Sequence, residues 1–104
     1  MTYHDIDIDP GQVEQFCRAN KIVGLALFGS ILRDDFGPES DVDVLVEFEK
    51  DAAVGFFALS EMEHELTGMF GRRAEIHTYR GLHPLYRDDV LRSATVQYEE
   101  AAAV

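Results

Sequence analysis

The sequence is poor in cysteine, in basic residues and in long apolar runs, and each scarcity excludes something. Its single cysteine, Cys17, rules out an internal disulfide and any cysteine-based zinc site. Cys17 falls at an apolar position of a helical pattern, so it is expected as a small core residue. Only 9 Lys and Arg stand against 20 Asp and Glu, a net charge of −11. Free binding to DNA, RNA or an anionic membrane needs clustered positive charge, which this balance does not supply. A basic protein partner is compatible with it, and so is a role in solubility alone. No apolar run approaches the roughly 18–20 residues of a membrane span. The opening MTYHDIDIDPG lacks a basic region followed by an apolar run, so no secretion signal is expected and a cytoplasmic location is. Repeats, low-complexity tracts and linkers are missing too.

What is present suits one compact unit. With 104 residues, 46% of them hydrophobic, the chain has material for one core and no second, so residues 1–104 are expected as a single domain. Residues 1–8 form a polar lead-in whose structure the pattern leaves open, with Asp7 and Asp9 expected in solvated or capping roles. Asp9-Pro10-Gly11-Gln12 has the acid, proline and glutamine of a capping box, and Val13, Phe16 and Cys17 follow at helical spacing, predicting a helix over 10–20. Ile22–Phe28, apolar on both faces, predicts a central strand covered on each side. A short helix over Ser30–Asp34 and a loop over Asp35–Ser40 lead to a strand from Asp41 to Phe48. Its alternation sends Val42, Val44, Val46 and Phe48 to the core and Asp41, Asp43, Leu45 and Glu47 to the other face.

After a connection over Glu49–Val54, the residues Phe56, Leu59, Met62, Glu63, Leu66 and Phe70 trace an amphipathic helix over about 55–68, ending near Gly68 or Gly71. His64 is expected on its surface. Arg73–Thr78 predicts a third strand in which Ala74, Ile76 and Thr78 oppose Glu75 and His77. Gly81–Pro84 turns the chain into a last helix over about 84–92. Periodicity leaves open whether Ser93–Tyr98 prolongs that helix or forms an edge strand, and Ala101–Val104 is expected to fray. The element order indicates an α/β (α+β) domain: a small mixed β-sheet flanked by helices.

The chemistry concentrates between Gly29 and Asp43. Asp41 and Asp43, two residues apart in a strand, have Cα atoms about 6.5–7 Å apart on one face. Like charges repel, so such a pair is best understood as closing on a hard divalent cation. Gly29-Ser30, just past a strand end, presents backbone N–H groups that can receive a phosphate. Arg33 lies four residues beyond Gly29; reaching a phosphate and pairing with Asp34, Asp35 or Asp41 are both open to it. Arg72 and Arg73 are expected exposed. His77 shares a face with Glu75 and is expected to support it by hydrogen bonding rather than as a ligand. Tyr79, Tyr86 and Tyr98 are expected to pack.

Gly29-Ser30, ten residues, then Asp41-x-Asp43 resembles the signature of the DNA polymerase β-like nucleotidyltransferase superfamily. The text GSILRDDFGPESDVDVLVEF, with Gly71-Arg72-Arg73-Ala74-Glu75-Ile76 and Leu82-His83-Pro84, is similar to the minimal nucleotidyltransferases (MNT-type), small proteins encoded beside HEPN-domain toxins. The resemblance spans about residues 20–98. It implies AMP transfer from ATP to a tyrosine of the paired toxin, which silences the toxin and makes this chain the antitoxin. It also implies that Gly29 and Ser30 hold nucleotide phosphates and that Asp41, Asp43 and a third carboxylate bind two Mg²⁺ ions. The family usually has Asp in that third place, and Glu75 stands here. One added methylene moves a carboxylate by about 1.5 Å, and a misplacement of about 1 Å can cost about a hundredfold in rate. The alternative it leaves open is a catalytically weak or inactive protein of this fold that neutralises the toxin by binding. Larger superfamily enzymes add a domain for the acceptor, so here the acceptor platform is expected from the toxin.

Overall fold

The computed structural model describes residues 2–100, so the end expected to fray lies outside the described residues. The lead-in is a small hairpin, β1 (Thr2–Tyr3) against β2 (Ile6–Asp7), whose turn holds His4 and Asp5 at φ of 48° and 69°. Positive φ at both central residues matches the right-handed twist of a tight hairpin. The hairpin delivers Ile6 and Ile8 to the core, 4% and 1% exposed. Asp9 then caps α1 (Pro10–Ala19), its carboxylate accepting from the N–H of Gly11 at 2.9 Å. Val13, Phe16 and Cys17 form the buried stripe of α1, as their spacing predicts.

Next come β3 (Ile22–Phe28), a 3-10 turn over Gly29–Leu32, and β4 (Val42–Phe48). The turn stops short of Asp34 because Arg33 is already extended, at φ −114° and ψ 159°. Asp41 lies one residue ahead of β4 rather than inside it. Helix α2 (Phe56–Phe70) runs past Gly68 and ends at Gly71, whose φ of 70° supplies the left-handed C-cap. Strand β5 (Ala74–Thr78) follows. Helix α3 (Arg87–Ser93) begins later than Pro84, because residues 83–86 form a turn closed by the N–H of Tyr86 donating to the His83 carbonyl at 2.9 Å. Residues beyond Ser93 form an edge strand, β6 (Thr95–Glu99).

The four longer strands form one sheet in the order β5-β4-β3-β6. β4 and β5 are parallel and the other pairs antiparallel, so the sheet is mixed, as expected. Helices α1 and α2 share a single core with one face of that sheet: Phe16 and Cys17 from α1 and Leu66 and Phe70 from α2 join Leu25, Leu27, Val42 and Val44. β3 is internal to the sheet, as expected, and from Leu25 to Phe28 it is buried on both faces, with Ala26 and Phe28 each 8% exposed. On its second face Gly24 and Ala26 line an open groove to which Leu91 of α3 contributes. That open face carries the acids.

Two details of α2 depart from its periodicity. Phe56 does not reach the core and is 90% exposed, because the buried stripe starts only at Met62. Glu63, partly buried, earns its inner position by accepting from the N–H of Ile76 at 2.7 Å, while Thr67 Oγ1 accepts from the N–H of Ala74 at 3.0 Å. These side chains satisfy the outward donors of edge strand β5. His64 is exposed, as expected. Of the tyrosines expected to pack, Tyr98 does so against the core, whereas Tyr79 and Tyr86 are 45% and 61% exposed.

Candidate active site

The parallel pairing of β4 with β5 decides which acids meet. It opens with the N–H of Val42 donating to the Arg73 carbonyl at 2.8 Å, and it sets Asp43 opposite Glu75 and Leu45 opposite His77. Antiparallel pairing on the other side sets Phe28, the last residue of β3, opposite Asp43. One row across the open face is thus Glu75, Asp43, Phe28, and the next is His77, Leu45, Ala26, Val96.

Within these rows, ligand atoms of Asp43, Glu75 and His77 lie within 4.8 Å of one another. His77 Nε2 is 3.3 Å from Asp43 Oδ1, and both side chains are about one quarter exposed, at 26%. That hydrogen bond raises the His77 pKa above its ordinary value; burial opposes the shift, and the negative charges of Asp43, Glu75 and Glu63 add to it. The Phe28 ring meets the His77 ring edge-on, centroids 5.2 Å apart. Two carboxylates and an imidazole are a donor set that fits a divalent cation. The longer side chain of Glu75 does not keep its carboxylate away from Asp43.

Gly29 closes the near side. Its φ is 77°, and a Cβ added there would stand 2.5 Å from Asp43 Oδ2. Glycine is therefore required twice, by the backbone and by the acid beside it. Ser30 stays close, its Oγ donating to the Asp41 carbonyl at 3.5 Å. Asp41 is half-buried at the mouth of β4 and is not a member of the three-residue cluster. Arg33 takes the ion-pair option, its Nε 3.1 Å from Asp35 Oδ1 on the exposed loop.

Arg72, expected exposed, is half-buried. Its Nη2 donates to the carbonyls of Gly37 and Ser40, each at 2.6 Å, and its guanidinium lies 4.7 Å over the ring of Phe36. Phe36 stacks in turn on His4, centroids 4.9 Å apart, and His4 Nε2 is 3.0 Å from the Ile31 carbonyl. This stack pins the loop between Gly29-Ser30 and Asp41 from both ends. Nothing in the periodicity signals it, because the carbonyls that hold Arg72 lie more than 30 positions away in the chain. Arg73 is exposed, as expected.

Past the acid row, the open face deepens into a groove of about 1030 Å³. Leu45 and Ala26 lie in it, with Leu91 and Val96 among its lining and Tyr79 at one side. Leu45 follows Asp43 on the same face, so the groove adjoins the acid row without containing it.

The family described as nucleotidyltransferase domain matches residues 11–96. A Methanocaldococcus jannaschii protein named "Putative protein adenylyltransferase" is 33% identical over 69 residues, covering 66% of this chain and 72% of the relative. A second protein of that name and organism is 32% identical over 66 residues, covering 64% of this chain and 66% of the relative. Among solved structures, one described as a "putative minimal nucleotidyltransferase" superposes with a TM-score of 0.67 at 33% identity, covering 82% of this chain and 85% of its own. A toxin–antitoxin crystal structure with AMP-PNP shares the fold, with a TM-score of 0.70 at 17% identity over 88% of this chain and 74% of the other. So does a chain of a tri-AMPylated Shewanella oneidensis HEPN toxin in complex with its MNT antitoxin, at 0.63 and 16% over 86% and 69%.

Proposed function

The chain belongs to the nucleotidyltransferase domain family, in its minimal branch, and from that premise we propose that it is a protein adenylyltransferase serving as the antitoxin of a HEPN-type toxin. The observation that carries the reading is the cross-strand pairing of Asp43 with Glu75 beside Gly29. In this reading Asp41, Asp43 and Glu75 are the catalytic and metal-binding residues, and residues 1–104 act as one domain. Bound Mg²⁺, two ions in the family's scheme, supplies charge neutralisation at the phosphates and at the attacking oxygen. His77 orients Asp43 through its hydrogen bond.

The backbone of Gly29 and Ser30 receives the β- and γ-phosphates of ATP. Arg33, which is mostly exposed, exchanges its Asp35 contact for a phosphate oxygen. The groove beyond Leu45 has the volume for the rest of the nucleotide. The tyrosine oxygen of the toxin forms a bond to the α-phosphorus as the bond from that phosphorus to the bridging oxygen breaks. Pyrophosphate departs with the bonding pair, and the phenolic proton passes toward Glu75. A cytoplasmic site of action goes with this reading. Among the described residues no helix is long and apolar enough to cross a membrane.

The test is incubation with labelled ATP, Mg²⁺ and the protein encoded by the adjacent gene. Label is expected on that protein, with none in chelator and a loss of at least about a thousandfold in Asp41→Asn with Asp43→Asn. Full protection of cells by the same double variant would instead establish neutralisation by binding alone. The proximity of Glu75 to Asp43 favours catalysis over that alternative.

A further inference from the structure

Phe56 and Phe57 open α2, and each is 90% exposed. The buried residues of that helix are Met62, Leu66 and Phe70, and Ala58 and Met69 add core contacts, so the fold does not need the two rings. A phenylalanine carries about 200 Å², and a standard protein interface takes about 800 Å² from each partner. The pair therefore offers nearly half of one partner's share from two adjacent residues.

We propose that Phe56 and Phe57 are an anchoring knob for a basic protein partner, seated in apolar pockets rimmed by Lys and Arg. The claim rests on the partner reading given above and locates where that partner is held. Charge selects the occupant. Between Phe48 and Gly71, the stretch that carries the pair, the chain has five Asp and Glu and one basic residue, Lys50. Glu61 and Glu65 continue the stripe of Phe57 along α2 at four-residue intervals, and both are exposed. Glu49 and Asp51, also exposed, precede the pair. A second copy would set −11 against −11, and an anionic membrane would repel the same rim.

The knob is remote from the chemistry. β4 carries the chain away from Asp43, and the five residues to Phe48 span about 16 Å before the connection to α2. Helix α2 also packs on the sheet face opposite the acids. Anchoring there holds the partner while its acceptor side chain approaches the other face. It contributes to capture and leaves the transfer step alone.

The test is the full chain carrying Phe56→Ser with Phe57→Ser, checked by circular dichroism for an unchanged fold. Calorimetry against the adjacent-gene protein is expected to show binding weakened at least about a hundredfold. KM for labelling that protein should rise by a similar factor while kcat stays within about twofold. Unchanged affinity overturns the proposal. So does a wild-type dimer in sedimentation that the double variant abolishes, which would assign the knob to a second copy. Co-sedimentation of the wild type with phosphatidylglycerol vesicles, lost in the variant, would assign it to a membrane and likewise overturn it. Asp43→Asn separates the two readings: it should bind normally and fail to label. Labelling by the wild type without a measurable complex removes the anchor alone, and binding without labelling removes the chemistry alone.

Discussion

Arg72 and Cys17 are the residues at which burial does most to alter what a side chain does. Arg72 holds the 37–40 loop by two charge-assisted hydrogen bonds, and through that loop it holds Asp41 at the mouth of β4. Arg72→Ala is expected to cost about 2 kcal/mol of stability, read from urea midpoints. It should also lower labelling activity about tenfold or more, with Arg72→Lys recovering part of the stability but not the two-carbonyl geometry. Cys17 is fully buried, and burial pushes its thiol up to about 12 from 9.0. Above pH 9 the unfolded chain releases this proton and the folded chain keeps it. Stability should therefore fall as pH rises from about 9 toward 12, by about 1.4 kcal/mol per pH unit from this group. Urea midpoints of the wild type and Cys17→Ala compared over that range isolate the contribution, since the variant lacks the slope. The thiol should also resist alkylation until the chain unfolds.

At the scale of elements, strand β5 is placed as much by α2 as by the sheet. Its outward N–H groups at Ala74 and Ile76 are met by Thr67 and Glu63, so the helix seals the sheet edge that carries Glu75 and His77. Thr67→Val keeps the shape and removes the acceptor, leaving the N–H of Ala74 unpaired. A loss of about 1–3 kcal/mol in denaturant unfolding is expected. Earlier hydrogen exchange at Ala74 than at Val44 would show that the loss is local. This dependence was only partly legible. The spacing of Met62, Leu66 and Phe70 predicts the helix, but it also turns Phe56 inward, whereas the fully buried stripe starts only at Met62. Glu63 stands in the apolar stripe of the sequence as an anomaly, and its hydrogen bond to β5 explains it.

For the molecule as a whole, the net charge of −11 sets the response to salt. Self-repulsion opposes the compact state, and the Debye length shortens from about 30 Å at 0.01 M to about 8 Å at 0.15 M. The thermal midpoint should therefore rise with that change, by about 4–8 °C if roughly 1 kcal/mol of repulsion is relieved. Association with a basic partner should slow over the same range, because the field that steers it is screened. Stopped-flow association rates and melting curves in the same buffers check both signs. A melting point that falls with salt would mean that attractive ion pairs dominate. The ion pairs resolved at Glu14–Arg18, Asp35–Arg33 and Asp89–Arg92 are exposed and contribute little.

The amino-acid order alone determines α1, β3, β4 and β5, the buried face of β4, and the spacing that sets Gly29-Ser30 ahead of Asp41 and Asp43. Those features follow from periods of 2 and 3.6 and from turn and cap residues, which act between neighbours in the chain. Tertiary structure alone decides that Asp43 faces Glu75 and His77, that Arg72 ties down the loop before Asp41, that residues 95–99 join the sheet edge, and that Phe56 stays in solvent. Each of these depends on a strand register or a packing contact between distant residues. A one-residue slip in that register would move every side chain of the strand to the other face without altering any local pattern.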